Sequence, residues 1–179
     1  MSYVDCTPED LPEYEANLCY YPKGGISKTF VLKEGYNITD FSNATQVQAA
    51  ITAGTMVIMG GLKANLPEPS PVEGENPTAC GSETIVDGYD YTAEVKDFNV
   101  NAGNDEFYRK LNQSQFTGFG LFLCEQNAVR VIEKGVTFNA RLVIPESNKE
   151  KQSYLITAKW SQDVADPFPV LYDAPVGIF

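Results

Sequence analysis

For most of its length the chain switches between runs with apolar residues at every second position and shorter runs where they recur at three and four. In "ISKTFVL", Ile26, Lys28, Phe30 and Leu32 fall on one face and Ser27, Thr29 and Val31 on the other, the period-two mark of a strand. "TMVIMGGLK" reads as a second strand. In "YDYTAEVKD", Tyr89, Tyr91, Ala93 and Val95 share an apolar face while Asp90, Thr92, Glu94 and Lys96 share a charged one, which predicts a half-buried strand. "FGLFLCE" and "AVRVIEK", with a turn near Gln126 and Asn127 between them, continue the series, followed by "VTFNARLVI" and "SYLITAKW".

Two segments keep the helical period instead. "SNATQVQAAITAG" places Ala44, Val47 and Ile51 on one stripe, with Ser42 or Asn43 able to cap the first free N–H groups and Gly54 able to stop the last turn. "NDEFYRKLNQSQ" predicts a second helix capped by Asn104. There Asp105 and Glu106 suit the positive end of the helix dipole, and Phe107 and Leu111 form the buried stripe.

Proline and glycine punctuate the rest. Residues 1–25, with Pro8, Pro12 and Pro22 and a closing "PKGG", read as an irregular arm. Residues 64–82, "ANLPEPSPVEGENPTACGS", carry Pro67, Pro69, Pro71 and Pro77 and only acidic charges. Because proline cannot donate to a ladder, an extended loop is expected there. Asp87-Gly88 predicts a tight hairpin turn between two strands. The whole predicts a mainly β protein: an antiparallel β-sandwich or barrel over residues 26–160 with one or two short flanking helices, an N-terminal arm, and a C-terminal tail over 161–179.

Composition narrows the function. At 179 residues and 43% hydrophobic the chain is the size of one domain with a real core. Its 13 Lys and Arg against 24 Asp and Glu give a formal charge of −11, which disfavours any role that grips nucleic-acid phosphates. The absence of histidine removes imidazole general bases and both Ser-His-Asp and Cys-His arrangements. Carboxylate pairs such as Asp105 with Glu106 and Asp163 with Asp166 read as solvated surface, and neither "KGG" nor "MGG" has the spacing of a phosphate loop. Cys6, Cys19, Cys80 and Cys124 form no Cys-x-x-Cys pair, so free thiols are expected, with Cys124 in "GFGLFLC" a small core hydrophobe. No catalytic residue, cofactor or metal is expected, and no stretch is long and apolar enough to span a membrane. The start, "MSYVDCTPEDLPEYEANLCYYPK", lacks the basic and apolar regions of a signal peptide, so synthesis in a cytoplasm is expected.

Aromatic residues outside the regular elements are the least bland feature. Tyr3, Tyr14, Tyr20 and Tyr21 lie in the arm, and Phe168, Tyr172 and Phe179 in the tail. Such residues either fold back on their own core or press into a partner.

The order of these pieces has a likeness. An arm with two cysteines and "LP", the "KGGISK" strand, a helix ending "AAITAG", a proline-rich loop closed by "ACGSE", and "YTAEVKDFN" leading into "NDEFYRKL" together resemble small virion proteins of tailed bacteriophages, most of all those of crAss-like phages of gut Bacteroidota. The resemblance spans residues of about 4 to 160 and rests on pattern rather than on a diagnostic motif. It implies a tail-tube-type β-sandwich in a neck or tail ring, of six-fold or twelve-fold order. Such a ring joins other proteins of the portal, neck and tail, in a virion assembled in the bacterial host cytoplasm. DNA would pass through without being specifically bound, and no membrane would be involved. On that reading Asp90, Glu94 and Asp97 are candidates for an acidic lumen face. Tyr3, Tyr14, Tyr20, Tyr21, Pro67, Pro69, Pro71, Phe168, Tyr172 and Phe179 are candidates for contacts between subunits. A decorating protein on the capsid or tail, or a β-sandwich module that recognises a glycan or protein surface, is the alternative.

Overall fold

A computed structural model describes residues 25–78, 81–113, 115–124, 126–147 and 149–179. Among the described residues nine strands and two helices follow in the order β1 (Ile26–Lys33), α1 (Ala44–Thr52), β2 (Met56–Asn65), β3 (Ser70–Thr78), β4 (Gly81–Asp97), α2 (Ala102–Asn112), β5 (Phe116–Leu123), β6 (Ala128–Ile132), β7 (Thr137–Val143), β8 (Ser153–Asp163) and β9 (Val170–Asp173). The protein is mainly β. All nine strands join one sheet in the order β7-β8-β4-β2-β1-β5-β6-β9, with β3 paired to β4 off that path, and every pairing is antiparallel.

The sheet is long enough to curl around its own inner face. Val136 N–H, just before β7, donates to the carbonyl of Thr117 in β5 at 3.1 Å, and the Phe138 ring meets Phe119 edge-on with centroids 5.8 Å apart. The enclosed cluster includes Val31, Tyr91, Val95, Leu121, Ile156 and Trp160, with Tyr108 and Leu111 of α2 closing one side. A second cluster lies on the outer face of the β2-β1-β5-β6 region. There Phe30, Leu32, Met56, Phe122 and Val131 are covered by Phe41, by Val47 and Ala50 of α1, and by Ala174, Ile178 and Phe179.

Strand β1 lies between the two clusters, hydrogen-bonded to β2 and β5, so Thr29, Phe30, Val31 and Leu32 are all buried. A register shift between Ile26 and Lys28 turns Ile26 to the inner cluster and breaks the expected single face of Ile26, Lys28, Phe30 and Leu32. Phe30 pairs with Gly120, and a Cβ at Gly120 would fall inside the Phe30 ring. Only glycine there lets the ring lie flat on the neighbouring strand.

The helices form where the period indicates, with shifted details. Asn43 Oδ1 caps α1, accepting from the backbone N–H of Thr45 at 3.0 Å and Gln46 at 3.3 Å, and Gly54 ends it at a φ of 71°. Val47 and Ala50 are the buried pair, whereas Ala44 is exposed. Asn101, not Asn104, caps α2 and accepts from Asn104 N–H at 3.0 Å, and Tyr108 and Leu111 are buried while Phe107 is half-buried. Helix α2 also protects the free edge of β7. The Asn112 amide donates to Ala140 O at 2.8 Å and accepts from Ala140 N–H at 2.6 Å, as a neighbouring strand would.

Several expectations need correction. The loop expected over residues 64–82 is largely strand where it is described: β2 runs on to Asn65 and residues 70–78 form β3, which pairs with β4 alone. Prolines are tolerated in such an edge strand because half of its N–H groups turn away from the ladder. Asp87-Gly88 is not a hairpin turn but a bulge within one 17-residue strand, where the register shifts between Val72 and Glu73. Glycine is required at position 88 because a Cβ there would meet Gln162 O at 2.7 Å. Residues 161–179 are not a free tail, since β8 continues to Asp163 and β9 extends the sheet beside β6. Cys124, expected in the core, is exposed, its N–H donating to Gly25 O at 3.2 Å. Cys6, Cys19 and Cys80 lie outside the described residues.

Candidate interaction surface

The surface of interest follows β4 from end to end. Between Tyr91 and Asp97 the strand alternates strictly: Tyr91, Ala93, Val95 and Asp97 are buried, whereas Glu94 and Lys96 are exposed and Thr92 is half-buried. Asp97 therefore does not belong with Asp90 and Glu94. It sits an even number of residues from Val95 and turns inward, where it is 5% exposed. Its carboxylate accepts from the Tyr108 hydroxyl at 2.6 Å and from Asn99 N–H at 2.8 Å. Burial, and then the hydrogen bond to Asp97, hold the Tyr108 phenol far above its ordinary range. Beside it the Tyr154 hydroxyl donates to Asp105 at 2.5 Å, and burial followed by that bond raises its pKa too. This polar cluster fastens α2 to β4 and β8.

Asp90 and Glu94 remain on the outer face, and Asp90 accepts from the Ser161 hydroxyl at 2.5 Å. Register decides what surrounds them. Lys159 lies opposite Thr92, and Lys63 opposite Lys96; on β7, Arg141 stands opposite Leu155, which pairs with Lys96. The face of β7-β8-β4-β2 therefore bears Lys63, Lys96, Arg141 and Lys159 against the three carboxylates of Asp90, Glu94 and Asp163, and is not the acidic wall expected from β4 alone. Lys63 and Lys96 are like charges placed directly opposite one another, an unfavourable cross-strand pair. Among the described residues neither forms an ion pair, the only such pair being Lys110 with Glu106 at 2.8 Å. Beside the two lysines a groove of about 830 Å³ opens, lined by Phe98, Val143, Pro145, Glu150, Lys151 and Ser153.

The opposite end of β4 is acidic. From Gly88 onward the strand is paired with β8, but residues 81–87 pair with β3 only, so residues 73–78 and 81–87 extend past the sheet as a two-stranded ribbon. Glu73 opposes Val86 and Glu75 opposes Thr84 on one of its faces, and Ile85 stands opposite Gly74 on the other. Ile85 and Val86 are 38% and 42% exposed, and Val72 at the base is 38% exposed. Between Lys63 and Lys96 the sequence holds Glu68, Glu73, Glu75, Glu83, Asp87, Asp90 and Glu94 and no base.

A separate apolar cavity of about 570 Å³ opens among Ile26, Leu66, Leu121, Leu123 and Phe168. Two of the polar side chains that line it are already engaged: Tyr91 OH donates to Pro167 O at 2.6 Å and the Arg130 guanidinium donates to Pro169 O at 2.9 Å. These two anchors hold Phe168 between them, 66% exposed at the rim. Pro67 and Pro71 are exposed and Pro69 is half-buried. Tyr172 and Phe179, both half-buried, pack on the chain's own outer cluster. Tyr172 packs on Phe41 at 5.3 Å, and Phe179 stacks on Phe122 at 5.2 Å and tilts against Phe30 at 5.6 Å. Tyr3, Tyr14, Tyr20 and Tyr21 lie outside the described residues.

Among the described residues no group of three or more Cys, Asp or Glu is placed to hold a metal, and no helix is long and apolar enough to cross a membrane. Comparisons with protein-family models, with curated protein sequences and with solved structures each found no match. The fold and surface define a mainly β antiparallel protein with an acidic ribbon at one end of its longest strand and a basic groove at the other.

Proposed function

We propose that this protein is a non-enzymatic structural subunit of a bacteriophage virion, assembling with copies of itself into a ring of the neck or tail that contributes to the DNA channel and joins neighbouring rings. The observation that carries the assembly role is the ribbon. A two-stranded ribbon is marginal by itself in water, yet here one projects from a well-packed body with apolar side chains on both faces and, among the described residues, no further strand beside it. Phe168, held outward between two anchored carbonyls, supports the same reading, because a positioned exposed aromatic suits a partner's pocket. The virion setting rests on the likeness of element order in the sequence.

The channel part of the reading changes with the register. A wall that lets DNA slide should repel phosphate, and the outer face of β7-β8-β4-β2, with four cations against three carboxylates, is not such a wall. The surface offered to DNA is therefore better sought elsewhere than along residues 90–97. Electron microscopy and mass measurement of the purified chain should find rings, and proteomics of purified particles should find the protein in them. A monomer at every concentration, absent from particles, would falsify the proposal.

A further inference from the structure

Building on the ring-subunit reading, we infer that each copy of this chain seats its acidic ribbon in the basic groove of the next copy. The contact joins Glu73, Glu75 and Val86 to Lys63, Lys96 and the apolar floor formed by Phe98 and Val143.

Three observations point to a second copy as the occupant. The first is charge: the groove has two directly opposed lysines, neither in an ion pair among the described residues, with Lys151 and a single Glu150 beside them, while the ribbon has carboxylates without a base. One docking event resolves both, and ion pairs formed as an interface excludes water fix register between partners. The second is apolar matching. Val86 shares a ribbon face with Glu73 and Glu75, and Phe98 and Val143, 38% and 42% exposed, lie among the lysines. A nucleic-acid backbone would satisfy the lysines but leave that apolar floor without a counterpart, and Glu150 would repel it.

The third is placement. Ribbon and groove belong to the same strand, and the stretch from Asp87 to Lys96 spans about 30 Å at the rise of a β-strand. A copy cannot fold its ribbon into its own groove, so the contact runs between copies. Each chain then offers one ribbon and one groove, a heterologous arrangement that closes into a ring when the rotation per contact divides a full turn.

The test uses the full chain and two charge-reversed forms, one with Lys63→Glu and Lys96→Glu, the other with Glu73→Lys and Glu75→Lys. All four positions are exposed, so circular dichroism and thermal midpoints should match the parent. Sedimentation should show the parent assembled and each variant alone at least tenfold weaker in self-association. An equimolar mixture should reassemble, because the reversed groove accepts the reversed ribbon and the parental groove accepts the parental ribbon. If the parent assembles and either variant does so equally well, or the mixture stays apart, the docking is wrong while the ring reading stands. If the parent itself is monomeric throughout, the ring reading fails first. Should the groove variant lose affinity for a short DNA duplex while assembly is untouched, nucleic acid is the occupant and the inference is overturned.

Discussion

Strand β4 passes through two environments, and the contrast between them separates what holds this fold together from what the fold presents. Over Tyr91–Asp97 it has β8 on one side, with β2 on the other over its last residues, and every second side chain is out of solvent. Over Gly81–Asp87 it has β3 alone, and Glu83, Thr84, Ile85, Val86 and Asp87 are all exposed. The residue types do not explain the difference. Ile85 and Val86 are as apolar as Ala93 and Val95; what differs is whether a second layer exists to receive them. Hydrophobic stabilisation follows the area removed from water, so the same chemistry stabilises one end of the strand and leaves the other available to a partner.

The comparison breaks most readily in the body. Phe30 is fully buried, lies over Gly120, and contacts Phe41 and Phe179 with ring centroids 6.0 and 5.6 Å away. Phe30→Ala is expected to cost about 3–5 kcal/mol in a urea titration. Gly120→Ala, an overpacking change, is expected to cost about 1–3 kcal/mol. A loss within half a kcal/mol for both would mean that the outer cluster is not a working core.

A smaller effect is expected at the junction of helix and strand. Tyr108→Phe removes one of the two donors that reach the buried Asp97 carboxylate and should cost about 1–3 kcal/mol. Asp97→Asn keeps the shape and should cost less. Equal stability of Tyr108→Phe and the parent would show that Asp97 is hydrated.

The same tyrosines predict an alkaline limit. In the unfolded chain their phenols ionise near pH ~10. In the folded protein, burial first and then the bonds to Asp97 and Asp105 hold Tyr108 and Tyr154 above that. Their contribution is fully present below the unfolded pKa. As pH rises past it, the unfolded chain gains by releasing protons that the folded chain keeps, so stability falls by up to about 1.4 kcal/mol per pH unit for each such tyrosine until the folded pKa is passed. Phenolate absorbance should rise together with loss of structure. Ionisation of both phenols with the fold intact would contradict their burial.

How much of this was legible in the sequence follows the same division. The period of two placed the body strands, and the caps and stop of α1 were readable from Asn43 and Gly54, because local geometry decides those features. Alternation also implied that Asp97 goes inward with Val95; grouping it with Asp90 and Glu94 followed charge and not parity. What lay beyond reach was set by distant partners. Whether Pro71 and Pro77 sit in a loop or an edge strand depends on having one neighbour instead of two. Whether Asp87-Gly88 turns or bulges depends on Gln162 approaching it from β8. The basic groove is assembled from β2, β4, β7 and the segment before β8, so no stretch of the chain announces it.

The finest test lies at the ribbon, where the expected effect on stability is smallest. Ile85→Thr and Val86→Thr keep β-branched side chains and the pairing with Gly74 and Glu73, and remove only apolar surface that already faces water. Each should leave the urea midpoint within about 0.5 kcal/mol of the parent. Amide exchange sharpens the point. Glu83–Asp87 have a neighbouring strand on one side only and should exchange through local opening, whereas amides of Glu94–Asp97, held between β8 and β2, should exchange only with global unfolding. The difference in protection along one unbroken strand is then the quantity to measure. If Val86→Thr destabilises the protein as Phe30→Ala does, or if both halves of β4 exchange together, the ribbon belongs to the cooperative body and its exposed valine and isoleucine must be explained by the fold and not by a partner.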